Sequence, residues 1–509
     1  MKQLLKMLTT LKLANYGYSI VFLMLFQNCA LAQSIEPTQV KTLWKRISCP
    51  FDSSKAQLPV ICGRLKVPEN YNAPEGRSIE IAFMVIKAHK NSDPENPVLF
   101  LSGGPGMPSL YFAETLVTSP LIHDVVVDRD WVFFDQRGTG RSIPQLYCPD
   151  DQDNPFDLEK CRDNLIEQGI DLSQYNSANS ANDMEELRKA LCMNQWNLWG
   201  ISYGSRLAFT MARYYPSSVR AIIHDGPALP EGQELIDDAI GLDVALNKLF
   251  TKCAVDSACS SKFPQLRSRF TETLVRLREQ PLLVGEQSYN DSKLIYFIRN
   301  WLYPRGYSTY EQRIQNLLIL MDAAARGDGQ LMFETQQKMR KEEGLDKVRP
   351  LEPIYAQQSL GQNLSVYCNE SKPFESKCEY DKAIANSEIV RSFLPEFGGS
   401  SVCDLWPSGQ AEQIANSHVY YDGPQLVFTG ELDASSSCIV GYKIEMLYAN
   451  AINVVFKNGI HGQFPVELPN SEDLEYWKCA LQLGHQFFAD PTQKLNTDCA
   501  KTRQLHLVR

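Results

Sequence analysis

Trp196-Asn197-Leu198-Trp199-Gly200-Ile201-Ser202-Tyr203-Gly204-Ser205-Arg206 is the stretch whose reading decides the fold. Aromatic and apolar residues at 196–199 read as a short buried strand, and 206–215 reads as a helix. Gly-x-Ser-x-Gly lies between them. In that setting the serine takes a strained turn, and the glycines on either side let strand and helix pack closely. The Ser202 hydroxyl is then exposed above the C-terminal edge of a sheet, where open α/β sheets bind ligands. A serine that merely capped the following helix would not need both glycines.

Further apolar runs lie outward from this stretch, at 79–86, 98–101, 131–134 and 219–224, and after a long gap at 426–428 and 452–456. They are rich in Val, Ile and Phe and end at turn residues, as buried strands of a mostly parallel sheet do. With helical segments such as 183–191 between them, the alternation predicts an α/β fold. Between 228 and 415 amphipathic helical stretches take over, at 234–250, 263–278, 293–302, 310–326 and 330–343. That block reads as a helical insertion capping the sheet, with core parts at 33–227 and 416–509 on either side. A closing helix is expected at 472–488, N-capped by Asn470 or Ser471.

The 509 residues are 44% hydrophobic and 22% charged, which excludes a disordered chain, a collagen-like fibre and a multi-span membrane protein. The 50 basic and 60 acidic residues give −10 with no basic block, so a nucleic-acid-binding surface is not expected. Lys2, Lys6 and Lys12, the apolar run 20–26 and Ala30-Leu31-Ala32 read as a secretory signal peptide cut after Ala32. The apolar run is too short to span a membrane. The expected location is therefore secreted or periplasmic, with no membrane partner after cleavage. Fourteen cysteines with no C-x-x-C pair fit disulfides rather than zinc ribbons. Short-range candidates are Cys49–Cys62, Cys253–Cys259 and Cys479–Cys499. Cys148, Cys161 and Cys192 compete among themselves, as do Cys368, Cys378 and Cys403.

A serine hydroxyl needs a base, and the chain has seven histidines. In the chain order Ser…acid…His the base follows a late strand, which selects His461 in Asn458-Gly459-Ile460-His461-Gly462. The acid belongs after the preceding strand, where Asp433 orients and stabilises the imidazole and Glu431 is its rival. Leu101-Ser102-Gly103-Gly104-Pro105-Gly106 follows a strand and precedes no clear helix. Gly104, with Gly103 next, is the candidate to donate an N–H beside that of Tyr203 in an oxyanion hole. Asp135, in Asp135-Gln136-Arg137-Gly138-Thr139-Gly140-Arg141-Ser142, precedes the serine and is read as a loop-bracing partner of Arg137 or Arg141.

Ser-Gly-Gly-Pro-Gly, Asp-Gln-Arg-Gly-x-Gly-Arg-Ser, Gly-x-Ser-Tyr-Gly, a late Asp and a late His in one order resemble the secreted bacterial α/β-hydrolases of the proline iminopeptidase and tripeptidyl aminopeptidase family. The resemblance covers about 45–230 and 415–500, and the middle block matches by position as that family's helical cap. It implies an α/β-hydrolase fold and a serine exopeptidase acting on small peptides through an acyl-enzyme, with no metal or organic cofactor. Ser102 stands where iminopeptidases usually have His, and Ala434-Ser435 where Thr-Pro usually follows the acid, which places the chain nearer the tripeptidyl aminopeptidase branch. A free peptide N-terminus is a cation, so the resemblance also implies carboxylates that meet it. Glu370 is the first candidate, and Glu231 and Asp225 are the others. The alternative is an esterase or amidase of the same fold acting on non-peptide molecules.

Overall fold

A computed structural model describes residues 44–508 except 91, 149–156, 286, 304–308, 344–355, 400 and 466–473. The expected signal peptide and the expected caps Asn470 and Ser471 lie outside the described residues.

The core sheet has nine strands: β1 (Trp44–Ile47), β2 (Val60–Pro68), β3 (Ser78–Ile86), β4 (Val98–Leu101), β5 (Trp131–Phe134), β6 (Trp196–Ile201), β7 (Val219–Asp225), β10 (Gln425–Gly430) and β11 (Ala451–Phe456). Their spatial order is β1-β2-β3-β5-β4-β6-β7-β10-β11. The pairings from β5 across to β11 are parallel, and those of β1, β2 and β3 are antiparallel. Strands β4, β5, β6 and β10 are buried along their whole length, because apolar side chains leave both faces. Phe100, Trp131 and Phe133 point into one cluster, and Leu99, Leu101, Val132 and Phe134 into the other. The sequence reading missed β1 and β2, which carry exposed and half-buried residues rather than apolar runs.

Between β7 and β10 the chain builds the expected helical insertion, with helices at Glu234–Val255, Leu266–Glu279, Asp291–Trp301, Tyr310–Arg326 and Gly329–Glu342. A small hairpin, β8 (Leu282–Val284) and β9 (Gln287–Tyr289), was not foreseen. The insertion has its own apolar cluster, centred on residues such as Phe250, Phe270, Ile298 and Leu317. Leu432, Ala434 and Ile460 belong to the same cluster. The loops after β10 and β11 are thus packed from above by the insertion.

Disulfides join Cys49–Cys62, Cys253–Cys259 and Cys479–Cys499 as expected, and the contested sets resolve to Cys148–Cys161 and Cys368–Cys403. Cys378 and Cys438 are free thiols among the described residues. No helix among those residues is long and apolar enough to cross a membrane.

The loop after β5 departs from its expected bracing. Asp135 makes no side-chain ion pair with Arg137; it accepts the peptide N–H groups of Leu110 (2.9 Å) and Arg141 (2.7 Å). Gly140 packs so closely on this carboxylate that a Cβ there would lie 2.1 Å from Oδ2. Arg137 instead forms a fully buried fork with Asp183, at 2.8 and 2.7 Å, and also donates to the Glu69 and Gln174 carbonyls. Arg141 pairs with Glu114. Removing one partner of a buried pair leaves an uncompensated charge. Arg137→Met should therefore cost about 3–5 kcal/mol in denaturant unfolding, and adding Asp183→Leu should recover most of that loss.

Candidate active site

Ser202 lies immediately past β6, with φ 55° and ψ −123°, and caps the helix Tyr203–Tyr214 without a side-chain capping bond. Both flanking glycines are required sterically. A Cβ on Gly200 would meet the Gly204 carbonyl oxygen at 2.4 Å, and one on Gly204 would meet the Leu101 oxygen at 2.1 Å. The elbow is pinned from the next strand by Ser202 N–H donating to the Asp225 carbonyl at 2.9 Å.

Asp433 and His461 meet. The imidazole Nδ1 is 2.9 Å from Oδ2 and 3.1 Å from Oδ1. Asp433 is also fixed by the N–H groups of Ser435 and Ser436, each donating to Oδ1 at 2.8 Å. Glu431, the rival, turns away: it accepts the Asn458 N–H at 2.9 Å and pairs with Lys252 at 2.9 Å. Burial pulls the His461 imidazole down, but the Asp433 charge and hydrogen bond outweigh it, with Asp238 adding, so its pKa is raised. No hydrogen bond joins the Ser202 hydroxyl to the imidazole among the described residues, as is common before substrate tightens a site.

The Gly-rich loop contacts the serine through Gly103 rather than Gly104. A Cβ on Gly103 would lie 2.8 Å from Ser202 Cβ and 3.4 Å from its Oγ, whereas one on Gly104 would face Gly106, Met107 and Gln358. A helix, Ser109–Val117, does follow this loop, contrary to the sequence reading. Ser102 turns its hydroxyl onto the Met107 carbonyl (2.6 Å) and is met by Ser109 at 2.9 Å. The Tyr203 N–H lies in the first turn of its helix, where backbone donors have no intrahelical acceptor.

The three amine-binding candidates lie in different surroundings. Glu370, in a π-helical turn (Tyr367–Ser371), is buried; it accepts from Ser177 Oγ at 2.7 Å and from Ser177 N–H, and lies 3.5 Å from Arg206 Nε. Ser177 Oγ also meets the Tyr203 hydroxyl at 2.7 Å, which ties Glu370 to the residue after Ser202. Glu231 faces His418 at 3.7 Å, apart from this group. Asp225 does not fit the amine-binding expectation: it is fully buried, and both its oxygens accept backbone N–H groups.

Four residues were missed. Glu234 takes a hydrogen bond from Ser371 at 2.7 Å and faces Arg206 and Glu370; crowding by protein raises its carboxyl although its side chain stays open to solvent. Tyr303 places its ring 5.2 Å from that of His461. Arg299 lies over the Tyr303 ring and pairs with Asp238, which Ser435 reaches from the acid loop. Glu234, Asp238 and Arg299 stand in ordinary helical sequence and Tyr303 just past the helix Asp291–Trp301, none of them in a local motif, so no signal marked them. Among the described residues there is no cluster of His, Cys, Asp or Glu suited to a metal ion.

Residues 96–322 match the family model described as α/β hydrolase fold. The serine protease Hip1 of Mycobacterium tuberculosis is 27% identical over 41% of this chain and 45% of its own length. A putative hydrolase, YuaR, of Escherichia coli is 24% identical over 70% of this chain and 73% of its own. The tripeptidyl aminopeptidase of Streptomyces coelicolor is 26% identical over 35% of this chain and 37% of its own. The chain thus spans less than half the length of the two named peptidases. With its mostly parallel sheet, its flanking helices and the family match across the elbow, this chain has the α/β-hydrolase fold, and the relatives it resembles are named as a serine protease, a hydrolase and a tripeptidyl aminopeptidase.

Proposed function

We propose that the protein is a secreted serine exopeptidase that releases residues or short peptides from free N-termini through an acyl-enzyme. The observation that carries this reading is the Asp433 carboxylate on His461 Nδ1, beneath a cap and beside a serine held at positive φ. His461 takes the Ser202 proton as the hydroxyl attacks the peptide carbonyl. The Tyr203 N–H and the Gly103–Gly104 loop hold the oxyanion. His461 then protonates the leaving amine, and water releases the acyl group. The proposed division is the one read from the sequence, a cap assigned to 228–415 between core parts assigned to 33–227 and 416–509. Five disulfides among the described residues support an oxidising location.

Recognition of the substrate amine falls to Glu370 and Glu234. Around Arg206 these two carboxylates leave one negative charge unmatched, and Glu234 is open to receive a cation. One observation favours the esterase or amidase alternative: Glu370 is already met by Ser177 and Arg206.

Matched chromogenic peptides, free or acetylated at the N-terminus, separate the two readings, with Ser202→Ala as the blank. Turnover of the free set alone is expected. Equal turnover of the acetylated set would replace the exopeptidase with an esterase or amidase. Glu370→Gln should raise KM for free peptides by about 10- to 100-fold, the scale of one charge-assisted hydrogen bond. Asp433→Asn should lower kcat by about 10⁴, by analogy with other triads, and Glu431→Gln should leave it near wild type. The reverse ranking would make Glu431 the acid.

A further inference from the structure

Asp225 closes β7, beside β6 and β10, where its sheet neighbours are Ile201 and Phe428. It has no exposed surface. Its carbonyl accepts the Ser202 N–H at 2.9 Å. Its Oδ1 accepts the Gln463 N–H at 2.6 Å and its Oδ2 the Phe464 N–H at 2.8 Å, with the Trp199 indole N–H 3.4 Å from Oδ2. One residue therefore grips the nucleophile turn with its main chain and the base loop with its side chain. The next residue, Gly226, has φ 61°, and a Cβ there would lie 3.1 Å from His461 Nδ1 and Cε1. Below the loop, Phe464 packs among Phe100, Trp131 and Trp199 with ring centroids 4.8–5.5 Å apart.

We infer that Asp225 is a positioning residue for catalysis, whose ionised carboxylate holds the 460–464 loop so that His461 stands over Ser202. The inference rests on the proposed roles of Ser202 and His461. A carboxylate is the one side chain that accepts both N–H groups with its two oxygens and donates to neither. Aspartate also has the length to reach the loop from a strand end that passes this close. Burial pushes the Asp225 carboxyl up to about 6, against the hydrogen bonds that favour its ionised form. The titratable groups facing it are His461 on the same loop and Tyr476 on the closing helix, and the flanking strands bring none. Protonation turns one oxygen into a donor aimed at a peptide N–H, so the grip loosens as pH falls through that value.

Asp225→Asn tests this. An amide keeps one acceptor and turns an NH2 towards the second N–H. On a free-N-terminus peptide, kcat should drop by about 10²-fold, the scale of a small misplacement of a catalytic group, with KM unchanged. The acid limb of the kcat/KM profile should move to lower pH, because an ionised Asp225 favours imidazolium and its loss lowers the His461 pKa. A fold-only role would lower the yield of active enzyme without moving that limb. Wild-type kcat and an unmoved limb in the variant would overturn the inference. Should the variant fail to fold, hydrogen exchange of wild-type peptides covering Gln463 and Phe464 decides. After correction for intrinsic rates, protection should fall between pH 7 and 5, and unchanged protection overturns the inference. Failure of the proposed roles of Ser202 and His461 looks different: the wild type would neither cleave peptides nor be labelled at Ser202 by a serine-reactive phosphonate, while the exchange result would still judge the loop.

Discussion

The close approach of three backbone segments around Ser202 is the constraint on which the site depends. Strand β4, strand β6 and the helix after it come together at distances only glycine tolerates, with the Leu101 carbonyl against Gly204 and the Gly204 carbonyl against Gly200. That contact forces the turn in which Ser202 has φ 55°. A non-glycine residue held there stores strain of order 1–3 kcal/mol, sustained because buried strands on both sides overdetermine the turn. The same crowding brings Gly103 to within contact of Ser202. The Gly-rich loop therefore reaches the serine as a consequence of how tightly the strands pack.

This explains which parts of the molecule were legible in the sequence. Strands β4 and β5 were read residue for residue, because apolar side chains leaving both faces produce an uninterrupted run bounded by turn residues. The helix Tyr310–Arg326 was equally plain, with a full capping box at Thr309 and Gln312 and a left-handed Gly327 at its end. Strand β1 escaped because an edge strand need not bury both faces, and β2, paired on both sides, escaped because polar Arg64 and Lys66 interrupt its buried Cys62, Leu65 and Val67. The elbow and the His461 loop are local motifs, so the sequence carries them. The carboxylate group around Arg206 is assembled from α-helical and π-helical segments far apart in the chain, including Ser177, Glu234 and Glu370. No short window holds such an arrangement.

The buried aspartates make the same point about function. Asp135, Asp183, Asp225 and Asp433 are all nearly inaccessible, and each follows or supports a core element. Burial alone does not distinguish them; their donors do. Asp183 meets a guanidinium and becomes structural. Asp135 and Asp225 spend both oxygens on peptide N–H groups, which fixes loops and leaves no lone pair well placed for an imidazole. Asp433 directs its two peptide donors to a single oxygen, and the other faces His461 Nδ1. An acid that orients a base must be half satisfied: held firmly by one oxygen, with the other reserved for the imidazole. Among these four residues only Asp433 has that division, so the order of acid and base along the chain is realised as a difference in hydrogen-bond allocation.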